Sequence, residues 1–232
     1  MIRIDKFLAM HGYGSRAQVK KLIHDQLVFV DGEVIKDPKI KVDETKAEVE
    51  VNGKQVTYEP YQYFLLNKPK GYISATSGNA LTVLDLIEEP YPDLFPCGRL
   101  DKDTTGLLLI TNNGPLAHRL LSPKHHVEKE YEVIVDLPLK EDLIQEFKKG
   151  IRLNAEELCQ PADLIILSDY MCHLIIREGK FHQIKRMFQK VGYEVIELKR
   201  VRMKNLVLED SLLPGTYRKL TKEEITELNQ FE

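Results

Sequence analysis

Cysteine is scarce in this chain: Cys97, Cys159 and Cys172 are the only three in 232 residues. They lie far apart, are odd in number and are never spaced Cys-x-x-Cys, which argues against a disulfide framework and a thiolate zinc site. No apolar run approaches the ~20 residues that cross a bilayer, and Met1-Ile2-Arg3-Ile4-Asp5 lacks the apolar stretch of a signal peptide. Internal repeats, low-complexity tracts and long flexible linkers are also missing. A cytoplasmic protein with reduced thiols and no membrane attachment is expected. With 43% hydrophobic and 30% charged residues, the length fits one medium domain plus a small one.

A net charge of -3 argues against a uniformly basic nucleic-acid binder, but the charge is segregated. Within the first 24 residues, Arg3, Lys6, Arg16, Lys20 and Lys21 face only Asp5. Between Arg177 and Lys204, nine basic side chains face only Glu178, Glu194 and Glu197. One such patch reads as a solvated helix face. Two patches on a chain with a catalytic-looking loop point to a polyanion.

That loop is Cys97-Gly98-Arg99-Leu100-Asp101-Lys102-Asp103-Thr104-Thr105-Gly106, and it runs into Leu107-Leu108-Leu109-Ile110. Turn-forming residues followed by an apolar strand place Asp101, Asp103 and Arg99 at the mouth of a buried sheet. Chemistry is usually housed there.

Residues 1–60 read as a small unit. Ile4, Phe7 and Leu8, then Val19, Leu22 and Ile23, recur at helical spacing, with Ser15 placed as an N-cap. Asp31-Gly32 and Asn52-Gly53, each between apolar runs, signal two hairpins. The composition changes near Glu59-Pro60, so residues 61–232 form the second domain. There, Tyr63 to Leu66 is a strand whose following turn, Asn67-Lys68-Pro69-Lys70-Gly71, is expected to present two lysines. Residues 82–87 and 115–121 read as short helices, and 131–135, 162–167, 173–176 and 195–198 as strands. Residues 181–191 give the clearest helix. Without a steady βαβ rhythm, an α+β fold on a mainly antiparallel sheet is expected.

The first 60 residues resemble the small αL-type RNA-binding module of a small-subunit ribosomal protein, through Arg3-Ile4-Asp5-Lys6-Phe7-Leu8, Gly14-Ser15-Arg16 and Val28-Phe29-Val30-Asp31-Gly32. They depart at Asp25-Gln26, where the module commonly has a Gly. The remainder resembles the pseudouridine synthases of the RsuA type. The resemblance runs through Leu66-Asn67-Lys68-Pro69-Lys70-Gly71-Tyr72, Gly98 to Thr111, His118 to Tyr131, and Glu178-Gly179-Lys180-Phe181-His182-Gln183-Ile184-Lys185-Arg186-Met187. Asp103-Thr104-Thr105-Gly106 and Ser122-Pro123-Lys124-His125-His126 look more like the branch that modifies small-subunit 16S ribosomal RNA than the large-subunit branch.

The resemblance implies an isomerase that detaches uracil from its ribose, turns it and rejoins it through carbon, with no cofactor and no metal. It implies Asp101 as the nucleophile, Lys185 as the cation paired to it, and Tyr131 as the residue that packs on the base and assists proton transfer. A uridine in folded RNA must be flipped out. Arg99 is the candidate wedge, with a salt bridge to Asp103 as its alternative role. Leu198 resembles the apolar residue lining the uracil pocket, or is simply core. Lys68, Lys70, Arg186, Arg3, Lys6, Arg16 and Lys20 complete the expected RNA contacts, Arg186 by meeting phosphate. The implied partner is ribosomal RNA or a pre-ribosomal small subunit, engaged by a monomer.

Two other readings stay open on the sequence. Asp101-x-Asp103-x-Thr105 spells a magnesium-dependent phosphatase pattern, although a turn-rich approach precedes it rather than a buried strand. A non-catalytic RNA-binding assembly factor would share the module and the basic patches. His125-His126 lacks further ligands for a metal and is expected to contact RNA or cap a loop.

Overall fold

The computed structural model describes residues 1–231 apart from 45, 57, 58, 90 and 92. The chain divides into two compact units, residues 1–62 with 88–94, and residues 63–87 with 95 onward.

In the first unit, β1 (Ile2–Arg3) leads into α1 (Ile4–Met10) and α2 (Arg16–His24). The strands β2 (Val28–Val30), β3 (Glu33–Val34), β4 (Lys41–Val42), β5 (Val49–Val51) and β6 (Lys54–Val56) follow. Four of them form an antiparallel sheet in the order β3-β2-β5-β6, while β1 pairs with β4. Ile4, Phe7, Leu8, Val19 and Ile23 from the helices pack on Val28, Val49 and Val51 from the sheet. Ser15 caps α2 as expected: its Oγ accepts from the Gln18 amide at 3.3 Å, and Gln18 Oε1 accepts from the Ser15 amide at 2.7 Å. Both hairpin turns take positive φ at their two central residues, Asp31-Gly32 and Asn52-Gly53, the geometry that Asp-Gly and Asn-Gly favour. Gln26 adopts φ 58, so it enters the left-handed region that the missing Gly would occupy more easily.

The second unit is built on one nine-stranded sheet. Its strands are β7 (Tyr63–Lys68), β8 (Phe95–Pro96), β9 (Thr105–Thr111), β10 (Lys129–Val135), β11 (Asp163–Ser168), β12 (Met171–Ile176), β13 (Val195–Met203), β14 (Leu206–Val207) and β15 (Tyr217–Lys219). The main path runs β11-β12-β10-β13-β9-β7-β15, with β14 on β13 and β8 on β9. Every pairing is antiparallel except β13 with β9. The helices are α3 (Gly114–Leu121), α4 (Asp142–Lys149), α5 (Gln183–Lys190) and α6 (Lys222–Asn229). No helix among the described residues is long and apolar enough to cross a membrane.

β7 and β9 are apolar without alternation because both of their faces are covered. Leu65, Leu107 and Leu109 pack with Leu116 and Leu120 of α3 and Leu228 of α6. Phe147 of α4 meets Phe188 of α5, with ring centroids 4.9 Å apart. Neither α4 nor α6 was expected from the sequence, since their short apolar patterns lie among charges. Two expectations also shift in extent. The 181–191 helix starts only at Gln183, because His182 is left-handed (φ 47, ψ 35). β13 extends beyond 198 to Met203, since its interrupting cations are accommodated: Arg200 is buried, and Arg202 is held by Glu128 and Glu130.

The parallel β9–β13 pair requires Gly106. A Cβ there would fall 2.2 Å from the Arg200 carbonyl oxygen, and φ is +99. His126 takes φ 45 at the end of the 3-10 turn Pro123–His125, which gives it the loop-ending role, and His125 packs edge-on against Phe231.

Candidate active site

Asp101 stands on a turn fixed from three directions. Ser74 Oγ donates to the Leu100 carbonyl and accepts from the Leu100 amide, both at 3.0 Å. The Gly71 amide donates to the Lys102 carbonyl at 2.8 Å, and the Thr104 amide donates to the Asp101 carbonyl at 3.1 Å. From beneath, Lys68 Nζ donates to the carbonyls of Thr104 (2.8 Å), Pro69 (3.1 Å) and Lys102 (3.4 Å).

Lys68 therefore corrects an expectation: the turn after β7 presents Lys70 but buries Lys68 completely. Burial pushes the Lys68 ammonium down to about 8, although the charges of Asp103 and Asp101 oppose that shift. Its role is to hold the Asp101 turn from behind, out of reach of RNA. Lys70 is exposed and pairs with Glu197 at 3.6 Å.

Lys185, on the first turn of α5, reaches the same loop. Its Nζ lies 3.6 Å from Asp101 Oδ2, but it donates to Asp103 at 2.6 and 2.7 Å. The Lys185 bond holds the Asp103 carboxyl below the usual carboxylate range. Asp103 is the closer partner of the cation, and the alternative of an Arg99–Asp103 salt bridge gives way to it. Arg99 is exposed beside Asp101. The other Asp101 oxygen, Oδ1, lies 3.5 Å from Nε2 of His182. His182 was missed at the sequence level, although its spacing of three from Lys185 across a helix start was a usable signal.

Tyr131 is reached through the sheet. Gly106 on β9 pairs with Arg200 on β13, and Arg200 pairs with Tyr131 on β10, so the three form one row across adjacent strands. Two strand spacings put the Tyr131 backbone about 10 Å from Gly106. Tyr131 is largely buried, with Lys129 two residues away on the same strand face. Arg200 Nε donates to the Leu107 carbonyl at 2.7 Å, and burial pushes Lys129 down to about 8. Leu198 is buried on β13, and its carbonyl accepts from Thr105 Oγ1 at 3.4 Å, so it lies next to the same loop.

Two expected phosphate contacts are otherwise engaged. Arg186 is gripped by Glu157 and donates to the Phe181 carbonyl. Arg3 binds both oxygens of the buried Asp5, at 3.0 and 2.7 Å. Burial works against the Asp5 charge, yet the Arg3 bond holds its carboxyl below the usual range. Lys6, Arg16 and Lys20 are exposed. Lys6 and Arg16 line a cleft of about 510 Å³ with Ser15, Gln18 and Tyr91.

Residues 62–190 match the family model described as RNA pseudouridylate synthase. The chain belongs to the RNA pseudouridine synthase family. Residues 2–47 match the S4 domain. Among similar proteins, an uncharacterized RNA pseudouridine synthase, YtzG, of Bacillus subtilis is 44% identical over 99% of both chains. Ribosomal small subunit pseudouridine synthase A is 44% identical in Yersinia pestis, over 97% of both chains. In Escherichia coli that enzyme is 41% identical, over 97% of this chain and 98% of its own. A crystal structure of a pseudouridylate synthase superposes with a TM-score of 0.70 at 39% identity, covering 98% of this chain and 100% of its own.

As a pseudouridine synthase, the protein is an isomerase acting on RNA, and the S4 domain is its RNA-binding module. The phosphatase and assembly-factor readings fall with this assignment. The second Asp of the Asp-x-Asp pattern accepts from the Lys185 ammonium.

Proposed function

We propose that this synthase isomerises a uridine of ribosomal RNA, in the small-subunit 16S molecule, with Asp101 as nucleophile. The observation that carries the reading is the Asp101 carboxylate, lying between Lys185 and His182 on a turn clamped by Lys68, Ser74 and Gly71. A carboxylate fixed between two nitrogen groups stays oriented toward the mouth of the sheet, and its attack splits one difficult step into two easier ones. In the net reaction the bond from ribose to ring nitrogen breaks, a bond from ribose to ring carbon 5 forms, and the proton lost from carbon 5 is balanced by one gained on nitrogen. Atoms and electrons balance within the substrate, so no oxidant or group donor enters.

Tyr131 packs on the uracil and assists the proton transfer, Leu198 lines the pocket, and Arg99 fills the space that the flipped uridine leaves. In the S4 domain, Lys6, Arg16 and Lys20 hold phosphates. Support for the small subunit comes from the names of the Yersinia pestis and Escherichia coli relatives.

Incubation of the protein with 16S and 23S transcripts carrying tritium at uridine carbon 5 tests both parts. Release from 16S alone, abolished in Asp101→Asn, is the expected result. Release from 23S alone moves the substrate to the large subunit, and an active Asp101→Asn removes the nucleophile assignment.

A further inference from the structure

Phe181 is the residue that neither the fold nor the proposed chemistry uses. A phenyl ring normally goes inside, yet this one is 75% exposed. It is nevertheless held in place. Its ring stacks on the His182 imidazole, with centroids 3.8 Å apart and planes inclined by 20°. Its carbonyl accepts from Arg186 Nη1 at 3.2 Å, and Arg186 is in turn gripped by Glu157. On the preceding residue, the Lys180 amide donates to Gln183 Oε1 at 2.9 Å, and Lys180 Nζ is tied to Glu178 and the Leu158 carbonyl. His182 holds the left-handed backbone that turns the two rings out together. The lower ring of this stack, His182, lies 3.5 Å from Asp101.

We propose that Phe181, seated on His182 at the rim of the Asp101 site, is a stacking platform for the nucleobase next to the target uridine. The inference rests on Asp101 being the reacting carboxylate. Flipping a uridine out of a strand strips its neighbours of one stacking partner, and an enzyme that holds the flipped state gains by replacing it. A fixed, uncharged aromatic ring does so for any base, since every base has a π-face. Rigidity matters because ordering a loose loop on binding would cancel much of the gain. Phe181 thus contributes to RNA binding, whereas His182 links the platform to the carboxylate and fixes the register of the strand over it.

The chain has no tryptophan, so Phe181→Trp supplies a single tryptophan at the platform, excited selectively over the tyrosines. The 16S transcript, added to the full-length variant, should quench that fluorescence saturably. Phe181→Ala and Phe181→Leu should each raise KM at least about tenfold, with kcat changed by less than about threefold, while Phe181→Trp restores most of the binding. Unaltered KM in the Ala and Leu variants, or tryptophan emission indifferent to RNA, would overturn the platform. So would a change confined to self-association in sedimentation, which would make this face a contact between copies of the chain. Repeating the quenching in an Asp101→Asn background separates the two proposals: lost quenching with an inactive Asp101→Asn counts against Phe181, whereas retained quenching with an active Asp101→Asn counts against Asp101.

Discussion

Lys185 donates to both carboxylate oxygens of Asp103, at 2.6 and 2.7 Å, across 82 residues of sequence. It stands 3.6 Å from Asp101 at the same time, so a single ammonium is shared between two carboxylates. Asp103 is mostly exposed, and solvent screening limits what its bond contributes to stability. Its consequence is positional: Asp103 anchors Lys185 at the edge of the site and leaves Asp101 its looser partner.

Asp103→Asn weakens that anchor while leaving Asp101 intact. Tritium release should fall by less than about tenfold, against a loss of about a thousandfold or more in Asp101→Asn, by analogy with the removal of other nucleophiles. Lys185→Met should cost about a hundredfold in kcat, with Lys185→Arg recovering part of it. Single-turnover rates measure all four variants. Equal losses in Asp103→Asn and Asp101→Asn would contradict the division of roles.

Lys68 predicts a pH dependence. Its ammonium falls to about 8 in the fold from an ordinary 10.5, and Lys129 does the same. Between those values the unfolded chain holds protons that the fold has released, so each lysine makes stability rise with pH, by up to about 1.4 kcal/mol per unit. The thiols act in the opposite sense. Burial pushes Cys97 and Cys159 up to about 11 and Cys172 to about 12, from 9.0, so above pH 9 the unfolded chain loses protons that the fold keeps. Stability should therefore rise from pH 8 to 9 and decline beyond it. In Lys68→Met the thiols, already titrating in the unfolded chain, should offset most of what Lys129 alone contributes, so the rise should nearly vanish, and urea titrations at successive pH values would show it; an unchanged slope would refute the assignment.

Gly106 should tolerate no side chain. In Gly106→Ala the added carbon meets backbone rather than a movable side chain, at a φ that L residues rarely adopt. A loss of about 3 kcal/mol is expected from the clash and the strained backbone together. Urea denaturation would measure it, and a loss under about 1 kcal/mol would mean that the β9–β13 pair gives way easily.

The S4 basic residues should separate into two kinds. Arg16→Ala and Lys20→Ala remove exposed charges and should lower the salt dependence of RNA binding by about 0.7 to 0.9 in log–log slope each, with stability unchanged. Arg3→Ala instead strands the carboxylate of Asp5, whose side chain is 1% exposed, and should cost about 2 kcal/mol of stability. Salt-dependent binding curves and denaturation of the same variants would distinguish them.

Much of this was legible in the amino-acid sequence because it is local. Ser15 caps α2 through a residue three positions on, Asp31-Gly32 and Asn52-Gly53 turn their own hairpins, and the apolar run after Gly106 is a central strand by composition. The segments that resemble pseudouridine synthases could be recognised for the same reason, each being a short contiguous string.

What the tertiary structure decided are relationships between distant residues, which depend on strand register and on where a helix starts. Lys68 reads like Lys70 in the sequence, yet strand pairing turns one under the Asp101 loop and the other into solvent. Arg186 follows Lys185 directly, but a helical step of about 100° sends it to Glu157 instead of the site. The left-handed His182 delays α5 and carries its own ring to Asp101 and that of Phe181 outward. Sequence alone thus determined which segments carry the chemistry, since propensity, capping and turn geometry act over a few residues. Folding decided which side chains meet Asp101, since burial and hydrogen bonding between remote segments are settled only once the sheet has closed.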